Sequence, residues 1–214
     1  MTRAVVFDLW DTLVDFDVAA AQAVQAEMAG RLGLDPDEFH EAWIAARAER
    51  ETGPLAVALA GFGADEALAR ELIEFRSAAT RVQLVPRPGA IETLHELARR
   101  GIARGLITVC SEDVELVWGE TAFAGLFESE VFSCSSGLAK PDPRIYELAC
   151  GELGVSPEEA LFVGDGANDE LAGAERVGMR AVLIHRPGKE PYWPAAKDWP
   201  GQRVTSIPEL LELL

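Results

Sequence analysis

Asp8 is the residue that the rest of the chain has to explain. It follows Ala4–Phe7, an apolar run rich in β-branched residues that suits a short strand buried on both faces of a parallel sheet. Ending such a strand on a carboxylate is hard to justify by packing, because desolvating an unpaired charge is costly. Ligands of open α/β sheets gather at the carboxyl ends of the strands, where Asp8 falls. Polar groups close three later apolar runs in the same way: Thr108 ends 102–108, Lys140 lies in the loop beyond 130–133, and Asp165 and Asp169 follow 160–163. Carboxylates brought together from different strands repel one another unless a divalent cation sits between them, and Mg²⁺ prefers hard oxygen ligands. A lysine and a hydroxyl beside them would balance a bound anion. Taken singly, each position also has a plainer reading: an Asp in a turn, a Thr capping a helix, a solvated lysine.

The elements that must position these residues follow from the apolar spacing. Beyond Asp15 the pattern turns helical and stays so up to Arg81. Residues 16–33 bring Val18, Ala21, Val24, Met28 and Leu32 onto one face, and Gly33 stops the helix. Asp35 and Pro36 open a second helix as N-cap and first helical residue, ahead of Phe39, Trp43, Ile44 and Arg47. Leu55–Gly61 reads as a short helical piece, and 65–82 as a longer one with Leu68, Leu72, Ile73 and Phe75 inward. A helical block is thus inserted between the first strand and the rest of an α/β fold. Pro86 and Pro88 stiffen the return crossing. Strands are predicted at 102–108, 130–133, 160–163 and 181–184, alternating with helices, which implies βαβ units and a mostly parallel, doubly wound sheet. Residues 185–203, rich in proline and without a period, read as a surface wrap before a terminal helix at 210–214.

A net charge of −17 speaks against a nucleic-acid partner or an anionic membrane surface, since both require a positive patch. Cys110, Cys134 and Cys150 are widely spaced and form no CxxC pair. They read as reduced core residues rather than as a zinc site or disulfide frame. With neither a basic-then-apolar leader nor an uncharged apolar run of about 18 residues, a cytoplasmic chain without a membrane span is expected.

The ordered set FDLWDTL (Asp8, Thr12), GLIT (Thr108), GLAKPDPRIY (Lys140) and VGDGANDE (Asp165, Asp169) resembles that of the haloacid dehalogenase-like hydrolase superfamily. The match is to the subgroup with a helical C1 cap inserted after the first strand, and it covers essentially the whole chain. It implies a Rossmann-like α/β core, residues 1–14 and 87–214, carrying an α-helical cap domain at 15–86. It also implies that Asp8 is the nucleophile of a phosphohydrolase, forming an aspartyl-phosphate with a small phosphorylated metabolite. Thr108 and Lys140 would hold the transferring oxygens, and Lys140 would also restrain the Asp8 charge. The implied cofactor is Mg²⁺, held by Asp8, the backbone carbonyl of Trp10, Asp165 and Asp169, the last either as ligand or as the residue orienting Lys140. Thr12, Ser111 and the cap arginines Arg47 and Arg50 are the candidate substrate contacts. For the arginines the competing reading is an exposed ion pair of little energy. A monomer or homodimer is expected.

One position departs from the family pattern. Its phosphatases carry a second Asp two residues after the nucleophile as general acid and base, and here that residue is Trp10. An indole N–H shuttles no proton, and losing such a group costs about 10²–10⁴ in rate. Asp11, next along, could substitute only if the backbone turned its side chain the same way. Two further readings therefore stand beside the phosphohydrolase: 2-haloacid dehalogenase chemistry, whose enzymes have an aromatic at the place of Trp10, and a catalytically impaired binding or regulatory protein. A phosphonate-cleaving relative would need a cap lysine, and residues 15–86 contain none.

Overall fold

The computed structural model describes residues 1–185 and 193–214. Five of its strands are those the apolar runs predict: β1 (Ala4–Phe7), β2 (Ala103–Thr108), β3 (Ser129–Phe132), β4 (Ala160–Gly164) and β5 (Arg180–Ile184). A sixth, β6 (Gln202–Val204), lies in the stretch read from sequence as a wrap and pairs in parallel with β5. The sheet order is β3-β2-β1-β4-β5-β6, and every pairing in it is parallel. In this order the chain reverses direction across the sheet at β1, the switch point where ligands of such sheets bind.

β1 is buried on both faces. Val5 and Phe7 join one core with Leu94, Leu106 and Val163, and Ala4 and Val6 join another with Ile107, Tyr146 and Phe162. Alternate side chains of a strand point oppositely, so two cores require helices on both faces. These are α6 (Ala90–Arg99), α7 (Glu112–Trp118), the short α8 (Ser133–Ser136), α9 (Pro143–Leu153), α10 (Glu170–Arg176) and α11 (Pro194–Lys197). α9 begins as the sequence dictates, with the Asp142 carboxylate accepting from the Arg144 N–H and Pro143 in the first turn. The expected terminal helix is instead a 3₁₀ segment, Pro208–Glu212.

The helical block comprises α1 (Val18–Leu32), α2 (Pro36–Ala45), α3 (Arg47–Glu51), α4 (Leu55–Gly61) and α5 (Glu66–Gln83). Asp17, Asp35 and Asp65 cap α1, α2 and α5. The block has a core of its own around Met28, Phe39, Trp43, Leu55, Leu59 and Leu72. The chain leaves the sheet and returns at one place: Val14 bridges Pro86, and the Arg87 N–H donates to the Leu13 carbonyl at 2.8 Å. Among the described residues, no helix is long and apolar enough to cross a membrane.

Candidate active site

The residues beyond β1, β2 and β4 meet at the carboxyl edge of the sheet. Asp8 is buried, and its backbone N–H donates to the Val163 carbonyl of β4 at 2.9 Å, which fixes it beside the strand that delivers Asp165. The Lys140 ammonium lies 2.5 Å from Asp8 Oδ1 and also donates to Glu170 Oε2. Burial alone would lower the lysine pKa, but the Asp8 and Glu170 carboxylates outweigh it and raise it, so Lys140 stays charged.

Carboxylate oxygens of Asp8, Asp165 and Glu170 lie within 4.8 Å of one another. Asp165 Oδ1 accepts from the Ala167 N–H and Oδ2 from the Trp193 indole N–H, both at 3.1 Å. Burial, then the Asp8 charge, push the Asp165 carboxyl up to about 6 from 3.8, against the pull of the Ala167 N–H and Lys140.

The structure corrects the sequence reading at Asp169. That side chain is exposed, on a residue with left-handed backbone (φ 55°) that caps α10. Glu170, fully buried, takes the place expected of it, reaching Lys140 through Oε2 and the Gly166 N–H through Oε1. Gly164 makes room: a Cβ there would overlap the Glu170 carboxylate. The signal was available in the spacing, since Glu170, Gly173 and Ala174 share the buried face of α10.

Thr12 and Thr108 are both fully buried, and among the described residues their hydroxyls have no hydrogen-bond partner. A buried hydroxyl left unpaired costs about 1–3 kcal/mol. Arg87, not singled out from the sequence, holds the loop after β1: its Nη1 donates to the carbonyls of Asp11 and Thr12 at 2.8 and 2.9 Å. Asp11 adopts positive φ and accepts the Phe16 N–H at 3.2 Å, while Trp10 packs edge-on against Phe16 with ring centroids 5.4 Å apart.

A cavity of about 540 Å³ opens between this edge and the helical block, lined by Asp8, Trp10, Asp11, Lys140 and Asp165 below and by the helices above. Arg47 and Arg50 both reach it, but they share one acid: Glu51 Oε2 takes Arg47 at 2.8 Å and Oε1 takes Arg50 at 3.1 Å. Arg50 also donates to Ser111 Oγ at 3.0 Å, so these two sequence-predicted contacts hold each other. Arg76, missed from sequence, pairs with the buried Asp113 at 3.1 Å, and Thr80 Oγ1 donates to the same carboxylate at 2.5 Å. These bonds tie α3 and α5 to the segment following β2.

Residues 2–178 match the family description haloacid dehalogenase-like hydrolase, and the chain belongs to that family. It is 38% identical over 146 residues to a phosphoserine phosphatase of Thermus thermophilus, an alignment covering 66% of this chain and 56% of that protein. It is 31% identical to (S)-2-haloacid dehalogenase 4A of Burkholderia cepacia, covering 99% of this chain and 94% of the relative. The crystal structure of a 2-haloacid dehalogenase from Pseudomonas syringae superposes with a TM-score of 0.75 at 29% identity, covering 100% and 98% of the two chains. Phosphatases and dehalogenases thus both stand among its relatives, and the choice between them rests on the site.

Proposed function

We propose that the chain is a Mg²⁺-dependent phosphohydrolase acting on a small phosphorylated metabolite through an aspartyl-phosphate at Asp8, with the helical block as its cap. The observation that carries this reading is the charge balance at the strand edge. Three carboxylates, Asp8, Asp165 and Glu170, crowd within 4.8 Å and face one ammonium, Lys140. The carboxylates outnumber the ammonium, burial pushes the Asp165 and Glu170 carboxyls upward where no cation relieves them, and the donors are the hard oxygens that Mg²⁺ takes. Asp8 and Asp165, with the Trp10 carbonyl, would hold the ion, while Glu170 is occupied with Lys140 and the Gly166 N–H. When bound, Mg²⁺ neutralises phosphoryl oxygens and helps fix the group for in-line displacement.

The chain's own residues supply the rest. A carboxylate oxygen of Asp8 attacks phosphorus, and the bond from phosphorus to the leaving oxygen breaks with its electron pair on that oxygen. Lys140 and the Thr12 and Thr108 hydroxyls donate to the phosphoryl oxygens, arranged before the substrate arrives. Water then attacks the acyl phosphate, the Asp8–phosphorus bond breaks, and the carboxylate, inorganic phosphate and one proton are released. Because Trp10 transfers no proton, the leaving oxygen must depart with little help, which favours weakly basic leaving groups.

The test is phosphate release from a metabolite panel and acetyl phosphate, with Mg²⁺ or with chelator. Mg²⁺-dependent release that disappears in Asp8→Asn is expected, and equal rates in the two proteins would end the proposal. The second reading, dehalogenation, is favoured by the aromatic residue at position 10; halide release from a 2-haloacid in chelator would establish it instead. For an impaired scaffold, Trp10→Asp would hydrolyse phosphate esters where the natural chain does not.

A further inference from the structure

The cavity lining mixes two unlike sets of side chains. In one, Arg47, Arg50 and Arg76 are engaged by Glu51 and Asp113, whose four carboxylate oxygens all take guanidinium groups. Arg50 is further held by Ser111 and lies over the Trp43 ring at 4.9 Å. Burial lowers its pKa to about 10, which marks a group fixed in the interior rather than one waiting in water. The same lining also holds the apolar side chains of Trp10, Phe16, Val18, Val24 and Ile44.

Among these apolar residues the packing is unusual. Val18, Ala21 and Val24 begin the same helical stripe that puts Met28 into the core of the block; all three line the cavity, Val24 while also packing against that core. Phe16, Val18 and Ile44 are 39%, 58% and 54% exposed, although apolar side chains of this size are mostly buried. Trp10, two residues beyond Asp8, belongs to the same lining, so apolar area and the carboxylate share one cavity.

We infer that the cavity is a seat for an uncharged aromatic leaving group, so that the substrate class is an aryl phosphate monoester. The inference rests on the phosphohydrolase reading above. Two independent features meet in it. The lining offers apolar area and the Trp10–Phe16 pair to a ring, while Glu51 and Asp113 already take guanidinium N–H groups of Arg47, Arg50 and Arg76 that a second anionic group on the substrate would need. The absence of a general acid at position 10 points the same way. A phenol-type oxygen leaves with a pKa near 10, roughly six units below the ~16 of water. The electron pair of the broken bond therefore rests on an oxygen stable enough to leave unprotonated. The phenolate then takes its proton from solvent, while Asp8 carries the phosphoryl group until water removes it.

The experiment measures kcat/KM with Mg²⁺ for 1-naphthyl phosphate, phenyl phosphate, acetyl phosphate and phosphoglycolate. Naphthyl phosphate is expected to exceed phosphoglycolate by at least about tenfold, the discrimination a well-placed apolar contact provides. In Ile44→Ala and Phe16→Ala the ratio of naphthyl to acetyl phosphate turnover is expected to fall severalfold or more. Both side chains are surface-exposed, and a thermal melt checks that the variants fold. If phosphoglycolate is preferred, or if the ratio is unmoved in both variants, the aromatic seat is refuted while the phosphohydrolase reading stands. If no substrate of the four releases phosphate, that reading falls and takes the inference with it.

Discussion

Asp165 is held ionised at a cost, and removing its charge should stabilise the metal-free chain while destroying its function. In the folded protein the group titrates at about 6 rather than 3.8, for reasons of burial and the neighbouring Asp8. At 1.36 kcal/mol per pKa unit, that difference costs the native state about 3 kcal/mol above neutral pH. Asp165→Asn relieves it, but an amide can accept only one of the hydrogen bonds now given by Ala167 and Trp193, a loss of about 1 kcal/mol. A net gain of about 1–2 kcal/mol remains, equivalent to about 2–8 °C in Tm for a chain of this size. The sign of its pH dependence is fixed. The native group binds its proton at higher pH than the unfolded one, so the variant's advantage is full above about pH 6 and fades toward pH 4. Mg²⁺ should reverse the order, since an ion at 100 times its Kd adds about 2.7 kcal/mol to the natural chain alone. Thermal melts at pH 8 and pH 4.5, in chelator and in Mg²⁺, read all of this. A variant less stable than the natural chain in chelator at pH 8, or an advantage that ignores pH, would refute the reasoning.

Three other outcomes follow from the same geometry. Lys140→Met leaves the Asp8 and Glu170 carboxylates buried without their counter-charge, and urea unfolding at pH 7 should show a loss of about 3–5 kcal/mol. Trp193→Phe deletes the indole donor to Asp165 Oδ2, and calorimetry should find Mg²⁺ bound about tenfold more weakly, with kcat at saturating Mg²⁺ retained. Gly164→Ala pushes its methyl into the Glu170 carboxylate, costing about 1–3 kcal/mol in unfolding free energy; adding Glu170→Asp, a shorter acid, should recover part of it.

Much of this chain is legible without coordinates because its local signals agree. A β-branched run ending in Asp8, the Asp35-Pro36 and Asp142-Pro143 helix starts, and apolar periods that switch from strand to helix fix the strand–helix alternation, and parallel crossovers leave few topologies open. Because Asp8, Thr108 and Asp165 sit at or just beyond strand ends, sheet formation alone carries them to one edge. Three things depended on the tertiary structure. The choice between adjacent acids at 169 and 170 turned on which one the first turn of α10 sends inward past Gly164. β6 is a three-residue edge strand, too short to show a period and formed only because β5 offers it a partner. Which acid Arg47 and Arg50 pair with was decided by Glu51, a neighbour that sequence spacing marks only as one more charge on a helix. Sequence determines which groups can do chemistry and which end of a strand they occupy. What each of them touches is a matter of long-range packing, because charges spend their partners on whatever the fold brings within 3 Å.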